Sequence, residues 1–130
     1  MKIYYREKSG GIEILRCFGI EGRVEIPGMI DDKLVISAAP YAFSSHMDEK
    51  EDLKNASLWE VSDGLEFGRE EHVLAGNDVE EIVFPDTLKE IGRYIFYGCG
   101  NLKKLEFSDS LMQIGCGAFT GCHALEKLTV

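Results

Sequence analysis

The chain has no basic cluster, no long apolar run and no paired cysteine motif, and each absence excludes a class of function. Lys and Arg total 14 against 23 Asp and Glu, a net charge of −9, and the basic residues never gather beyond the pair Lys103-Lys104. Nucleic acids and anionic membrane surfaces are held by cationic patches that neutralise phosphate, so neither is an expected partner. No apolar stretch approaches the roughly 20 residues that a membrane-spanning helix needs, which argues against membrane insertion. The first residues, MKIYYREKSGG, carry charges where a secretory leader carries its apolar run. The expectation is a cytoplasmic chain, or a cell-surface or secreted one if a longer precursor supplies a leader. At 130 residues the chain suits one domain with a real core.

Catalytic and metal-binding patterns are missing as well. His46, His72 and His123 share no metal-ligand spacing, and there is no HExxH pair, GxSxG elbow, phosphate-binding loop or dinucleotide fingerprint. Glu49, Glu51 and Asp52 lack the Asp-x-Asp-x-Asp-Gly order of a calcium loop and read as the solvated face of a short helix. Cys122-His123 is the only adjacent thiol and imidazole, but consecutive side chains point to different sides of the chain. Cys17, Cys99, Cys116 and Cys122 form no Cys-x-x-Cys element, so a zinc site is not expected. The chain is therefore expected to be non-enzymatic, with no cofactor and no metal.

What the sequence does have is self-repetition. VEEIVFPDTLKEIGRYIFYGCGN, from Val79 to Asn101, is followed without a gap by LKKLEFSDSLMQIGCGAFTGCHA and then by the opening of a third copy, LEKLTV. A shift of 23 residues superimposes Val79, Leu102 and Leu125; Ile82, Leu105 and Leu128; Phe84, Phe107 and Val130; Ile91 and Ile114; Gly92 and Gly115; Phe96 and Phe119; Cys99 and Cys122. A period of this size predicts a solenoid, in which each coil buries its apolar face only against its neighbours. Cys99 and Cys122 share a phase just after the Gly98 and Gly121 turns, where a small apolar side chain fills an interior corner. They are expected to be reduced and buried rather than bridged. Phe96 and Phe119, recurring between glycines, read as core pillars.

Within a coil, Leu105 and Phe107 flank Glu106 as the buried positions of a one-sided strand flank an outward one. Stacked at the usual spacing of about 4.8 Å, such strands form one parallel ladder. Its outward residues Glu81, Val83, Lys104, Glu106, Lys127 and Thr129 are the candidate partner-binding face. Pro85-Asp86 and Ser108-Asp109-Ser110 turn the chain back. Gly92 and Gly115 mark places where a side chain would be awkward.

These elements resemble the BspA-like, or treponemal-type, leucine-rich repeats of bacteria. The resemblance rests on Val79-Glu80-Glu81-Ile82-Val83-Phe84-Pro85, Ile91-Gly92, Ile95-Phe96 and Cys99-Gly100-Asn101-Leu102. The next coil repeats them as Leu105-Glu106-Phe107, Ile114-Gly115, Ala118-Phe119 and Cys122-His123-Ala124-Leu125, with Ser108 in place of the proline. Upstream, Val24-Glu25-Ile26-Pro27 and Ala39-Pro40-Tyr41-Ala42-Phe43 resemble one degenerate coil, which places His46 at the corner phase of Cys99 and Cys122. Phe43 and Phe96 lie further apart than one period, so an insertion falls between Met47 and Asp78.

The expected fold is a β-rich, leucine-rich-repeat solenoid of short parallel strands stacked in a right-handed coil, with an N-terminal β-hairpin cap and a short helical insertion. The hairpin spans 1–22 around Ser9-Gly10-Gly11, with Tyr4 and Tyr5 as capping residues. A degenerate first repeat follows over 23–46, then an insertion or eroded repeat over 47–78 whose acidic Met47 to Leu53 opens the helix. Two regular repeats and the start of a third occupy 79–130. What the resemblance implies is protein–protein recognition of the kind used in bacterial adhesion. The alternative is a structural or regulatory repeat segment of a larger intracellular protein. The apolar layer of Leu111, Ile114, Ala118 and Phe119 has no following coil over it, so self-association through that end is also expected.

Overall fold

The 23-residue step of the sequence reappears as strand register. The computed structural model describes residues 1–18, 22–44, 53, 55–60 and 79–129, and every structural statement below refers to these. Eleven strands form: β1 Lys2–Lys8, β2 Gly11–Phe18, β3 Arg23–Glu25, β4 Met29–Ile30, β5 Lys33–Ala38, β6 Ser57–Glu60, β7 Glu81–Val83, β8 Glu90–Ile91, β9 Lys104–Glu106, β10 Gln113–Ile114 and β11 Lys127–Thr129. In the first ladder Ile82 lies opposite Leu105 and Leu105 opposite Leu128, each pair one period apart. A slip of one residue would turn every buried side chain out to solvent, so the alternating pattern fixes this register. β3 joins the same parallel sheet with Val24 opposite Ile82, giving the order β11-β9-β7-β3.

A second ladder runs along the other side of the coils. Ala38 faces Ile91 and Ile91 faces Ile114 in parallel register. β5 also pairs in parallel with β2, which folds back on β1 as an antiparallel hairpin, and β6 adds to the outer edge of β1 with Trp59 opposite Ile3. Asp31 and Asp32, both with positive φ, turn β4 onto β5. Adjacent left-handed residues suit the twist of a two-residue hairpin.

Among the described residues there is no helix, so the short helical insertion expected within 47–78 is not seen. Residues 47–52 lie outside the described residues, as do His46 and His72. The part of the stretch that is described, β6, is extended because the open edge of β1 offers it a ladder of backbone partners.

Between the two ladders the core is built in columns. The rings of Phe96 and Phe119 stack at 5.9 Å and 14°, Phe43 continues the column with its ring tilted by 33° at 5.8 Å from Phe96, and those of Phe84 and Phe107 stack at 5.0 Å and 7°. Gly92 and Gly115 hold the turn where successive coils come closest. A Cβ on Gly92 would lie 2.3 Å from the backbone nitrogen of Pro40, and one on Gly115 2.3 Å from that of Arg93. No side chain fits there, which is the physical content of the repeated isoleucine-glycine pair.

β2 departs from simple alternation. Every residue from Gly11 to Cys17 is buried, Glu13 and Arg16 included. Ile12, Ile14 and Cys17 belong to the core, whereas Glu13 is covered by Arg6 and Lys8. The Arg16 guanidinium donates to the carbonyls of Tyr41 and Ser44. Charge is tolerated in these positions because hydrogen bonds replace the water that burial removes.

Candidate functional site

The six residues expected to form a binding face fall on the outer rows of the first ladder. Register places Arg23, Glu81, Lys104 and Lys127 in one row, and Glu25, Val83, Glu106 and Thr129 in a second. Lys104, Glu106, Lys127 and Thr129 are exposed, while Glu81 and Val83 are half-buried. Between the rows the inward residues Val24, Ile82 and Leu105 are buried, so a rigid core fixes where the outer side chains emerge.

Arg23 and Glu25 complete both rows, and sequence reasoning did not include them. The signal was present: Val24-Glu25-Ile26-Pro27 has the strand pattern of the later coils. What hid them was the long stretch between Pro27 and Val79, which conceals that β3 lies directly beside β7.

The charges on this face compensate one another. Arg23 reaches Glu25 within its own strand and Glu81 at 3.4 Å in the next. The Glu25 carboxylate is the chief cause holding the Arg23 guanidinium above its ordinary pKa. Lys103 lies 4.0 Å from Glu80 at the edge of a notch of about 270 Å³ between Gly22, Glu81 and Lys104. Three acids (Glu25, Glu81, Glu106) meet three bases (Arg23, Lys104, Lys127) across the two rows, which leaves no monopole to attract a polyanion.

The outer face of the second ladder carries a denser polar network, which the sequence did not disclose. Glu13, Ser37, Glu90 and Gln113 form one row across β2, β5, β8 and β10. Lys8 arches over it from β1, with its ammonium 3.1 Å from Glu13 and 2.6 Å from Glu90. The Ser37 hydroxyl lies 3.1 Å from Glu13 and 2.9 Å from Glu90. The hydrogen bond from Lys8, followed by that from Ser37, lowers the Glu90 pKa, and the bond to Glu90 is the largest cause raising that of Lys8. A groove of about 670 Å³ runs beside this row, bounded by Pro40, Arg93 and Met112. Its charged groups are already paired with one another, so the arrangement ties the hairpin to the coils.

The cysteines follow the repeat only in part. Cys99 is buried with its Sγ 3.4 Å from the Phe43 carbonyl, and Cys122 repeats the contact at 3.3 Å from that of Phe96. Cys122 is only half-buried, contrary to the expectation of a buried pair; it belongs to the last coil among the described residues. Even so, burial pushes its thiol up to about 11. Cys17 is buried, Cys116 is exposed, and none of the four is bridged. His123 is exposed. Among the described residues, no three His, Cys, Asp or Glu side chains are grouped as metal ligands, and no helix is long and apolar enough to cross a membrane.

Comparison with known proteins places this geometry. The chain is similar to a leucine rich repeat protein of T. pallidum, with a TM-score of 0.72 at 22% identity over 98% of this chain and 47% of that one. It is also similar to a leucine rich cell surface protein of Faecalibacterium prausnitzii, with a TM-score of 0.64 at 21% identity over 95% of this chain and 28% of that one. The chain thus spans about half the length of the first and under a third of the second, and at these identities the likeness is one of fold. No curated protein matches it. The family model described as a BspA type leucine rich repeat region (6 copies) matches residues 70–130. With the stacked 23-residue coils seen within that span, residues 70–130 belong to the BspA type of bacterial leucine-rich repeat.

Proposed function

We propose that the chain is a non-catalytic protein-recognition module, a short right-handed solenoid that binds another protein through the outer rows of its first ladder. In this reading 1–22 caps the stack, 23–46 is a degenerate first repeat, 47–78 is an insertion and 79–130 holds the regular coils. The observation that carries it is the in-register pair of outer rows, with Glu81, Val83, Lys104, Glu106, Lys127 and Thr129 joined by Arg23 and Glu25. These side chains emerge at fixed spacing from a core that needs none of them. Mixed charge and short polar groups on a rigid sheet suit the polar rim of a protein interface rather than a polyanion.

A photo-crosslinking amino acid at Glu106 tests the reading against the same group at the exposed Lys89, which lies outside both rows. In whole-cell extract the Glu106 probe is expected to give a discrete adduct that the Lys89 probe does not. That adduct should fall at least tenfold when Glu81 and Lys104 are both changed to Ser. Equal adducts from both positions, or an adduct indifferent to the serine changes, would remove the first ladder from the role.

A further inference from the structure

The acids and bases of the first ladder compensate one another unevenly. Arg23 is held by Glu25 and Glu81, and Lys103 lies near Glu80. Lys104 is exposed, and among the described residues its side chain enters no ion pair and no hydrogen bond. Its neighbours in register are Glu81, already engaged by Arg23, and Lys127, a like charge. Like charges side by side on one face of a sheet repel, so nothing in the row offsets the Lys104 ammonium.

Lys104 also borders the notch of about 270 Å³ whose other walls are Gly22, Arg23, Glu80, Glu81 and Lys103. That volume is below the roughly 300–1,000 Å³ of small-molecule sites and gives room for a side chain rather than a cofactor. The notch is open at Gly22, where an added Cβ would meet nothing within 4 Å. Its backbone is already committed. The Gly22 carbonyl accepts the N–H groups of Glu80 and Glu81 at 2.8 and 3.0 Å, and the Glu80 carbonyl those of Lys103 and Lys104 at 2.7 and 3.1 Å. Each of these oxygens spends both lone pairs inside the sheet. Recognition in the notch therefore falls to side chains, and the charge left unmatched there is that of Lys104.

We propose that this notch takes the carboxylate of an aspartate or glutamate side chain of the partner protein, with the Lys104 ammonium as its counter-ion. The inference rests on the first ladder being the binding face. Charge sets the sign of the occupant. The notch has three bases, Arg23, Lys103 and Lys104, and two acids, Glu80 and Glu81, so an entering carboxylate closes the balance and an entering ammonium worsens it. Those two acids, with Glu25 and Glu106 in the next row, surround the site with negative charge, which suits a single carboxylate and repels a polyphosphate. The notch opens on the same face as the outer rows, so a protein surface laid on those rows brings the carboxylate to it.

The photo-crosslinking amino acid at Glu106, used in whole-cell extract with the charge at position 104 varied, tests this. Lys104→Arg is expected to keep the yield of the discrete adduct within twofold of the parent. Lys104→Met, which keeps the aliphatic stem without the charge, is expected to lower it about threefold, and Lys104→Glu on the order of tenfold. A carbodiimide joins an amine to a carboxylate only where the two touch, and it is expected to link Lys104 to an Asp or Glu of the same captured protein, located by mass spectrometry of the peptides. An adduct that falls with the paired serine changes at Glu81 and Lys104, yet is unchanged or raised in Lys104→Glu, would overturn the carboxylate site and leave the ladder as the binding face. No discrete adduct, or one indifferent to the serine changes, would remove the ladder and the site together.

Discussion

At the scale of single residues, the four thiols differ in environment although the sequence makes two of them equivalent. Cys99 and Cys122 occupy one phase of the repeat and make the same contact to a phenylalanine carbonyl. A thiol reacts as its thiolate, and burial that raises Cys122 to about 11 leaves very little thiolate near neutrality. The expected order of labelling by a thiol reagent in the native protein is Cys116 first and Cys122 far more slowly. Cys17 and Cys99 should label only when denaturant opens the fold, as mass spectrometry of the labelled peptides would show. Labelling of Cys99 as fast as Cys116 would contradict the core described above. The shared phase was legible in the sequence. The difference was not, because exposure depends on whether another coil lies above, which is a property of the stack rather than of the motif.

Between elements, the contact of the hairpin with the coils is electrostatic as well as apolar. Glu90 is held below its ordinary value of 4.5 and Lys8 above its ordinary value of 10.5. A lowered carboxylate stabilises the fold fully above 4.5, and this contribution is lost as pH falls through the lower folded value. A raised lysine stabilises it fully below 10.5, and that contribution is lost as pH rises through the higher folded value. Both side chains are partly open to solvent, so the pair is worth about 0–1 kcal/mol. In urea melts Glu90→Gln should lower stability by about that amount at pH 7, and the gap from the parent protein should close below pH 4.5. A gap that instead widened in acid would show that Glu90 is not held by Lys8.

The elements differ in how far their residues announced them. The alternation in Leu105-Glu106-Phe107 disclosed the first ladder of the regular coils, since local pattern and global register agree there. The second ladder was not expected, because Ile91-Gly92 and Ile114-Gly115 read only as inward residues followed by a tight backbone position. The network of Glu13, Ser37 and Glu90 was not legible, because Ile12-Glu13-Ile14 reads as an ordinary one-sided strand. What buries Glu13 is Arg6 and Lys8 on the partner strand, a pairing known only once the hairpin is closed.

For the whole molecule, the central claim is that one 23-residue period sets an inward row that holds the fold and an outward row that is free to recognise a partner. Neighbours in a single strand separate the two roles. Leu105 is buried between Ile82 and Leu128, whereas Lys104 beside it is exposed. Chemical denaturation of Leu105→Ala and Lys104→Ser tests this most directly. The account predicts a loss of about 2–5 kcal/mol for the leucine and a change within about ±0.5 kcal/mol for the lysine. A large loss from Lys104→Ser with a negligible one from Leu105→Ala would mean that the rows are inverted, and the outer rows could no longer be proposed as a binding face.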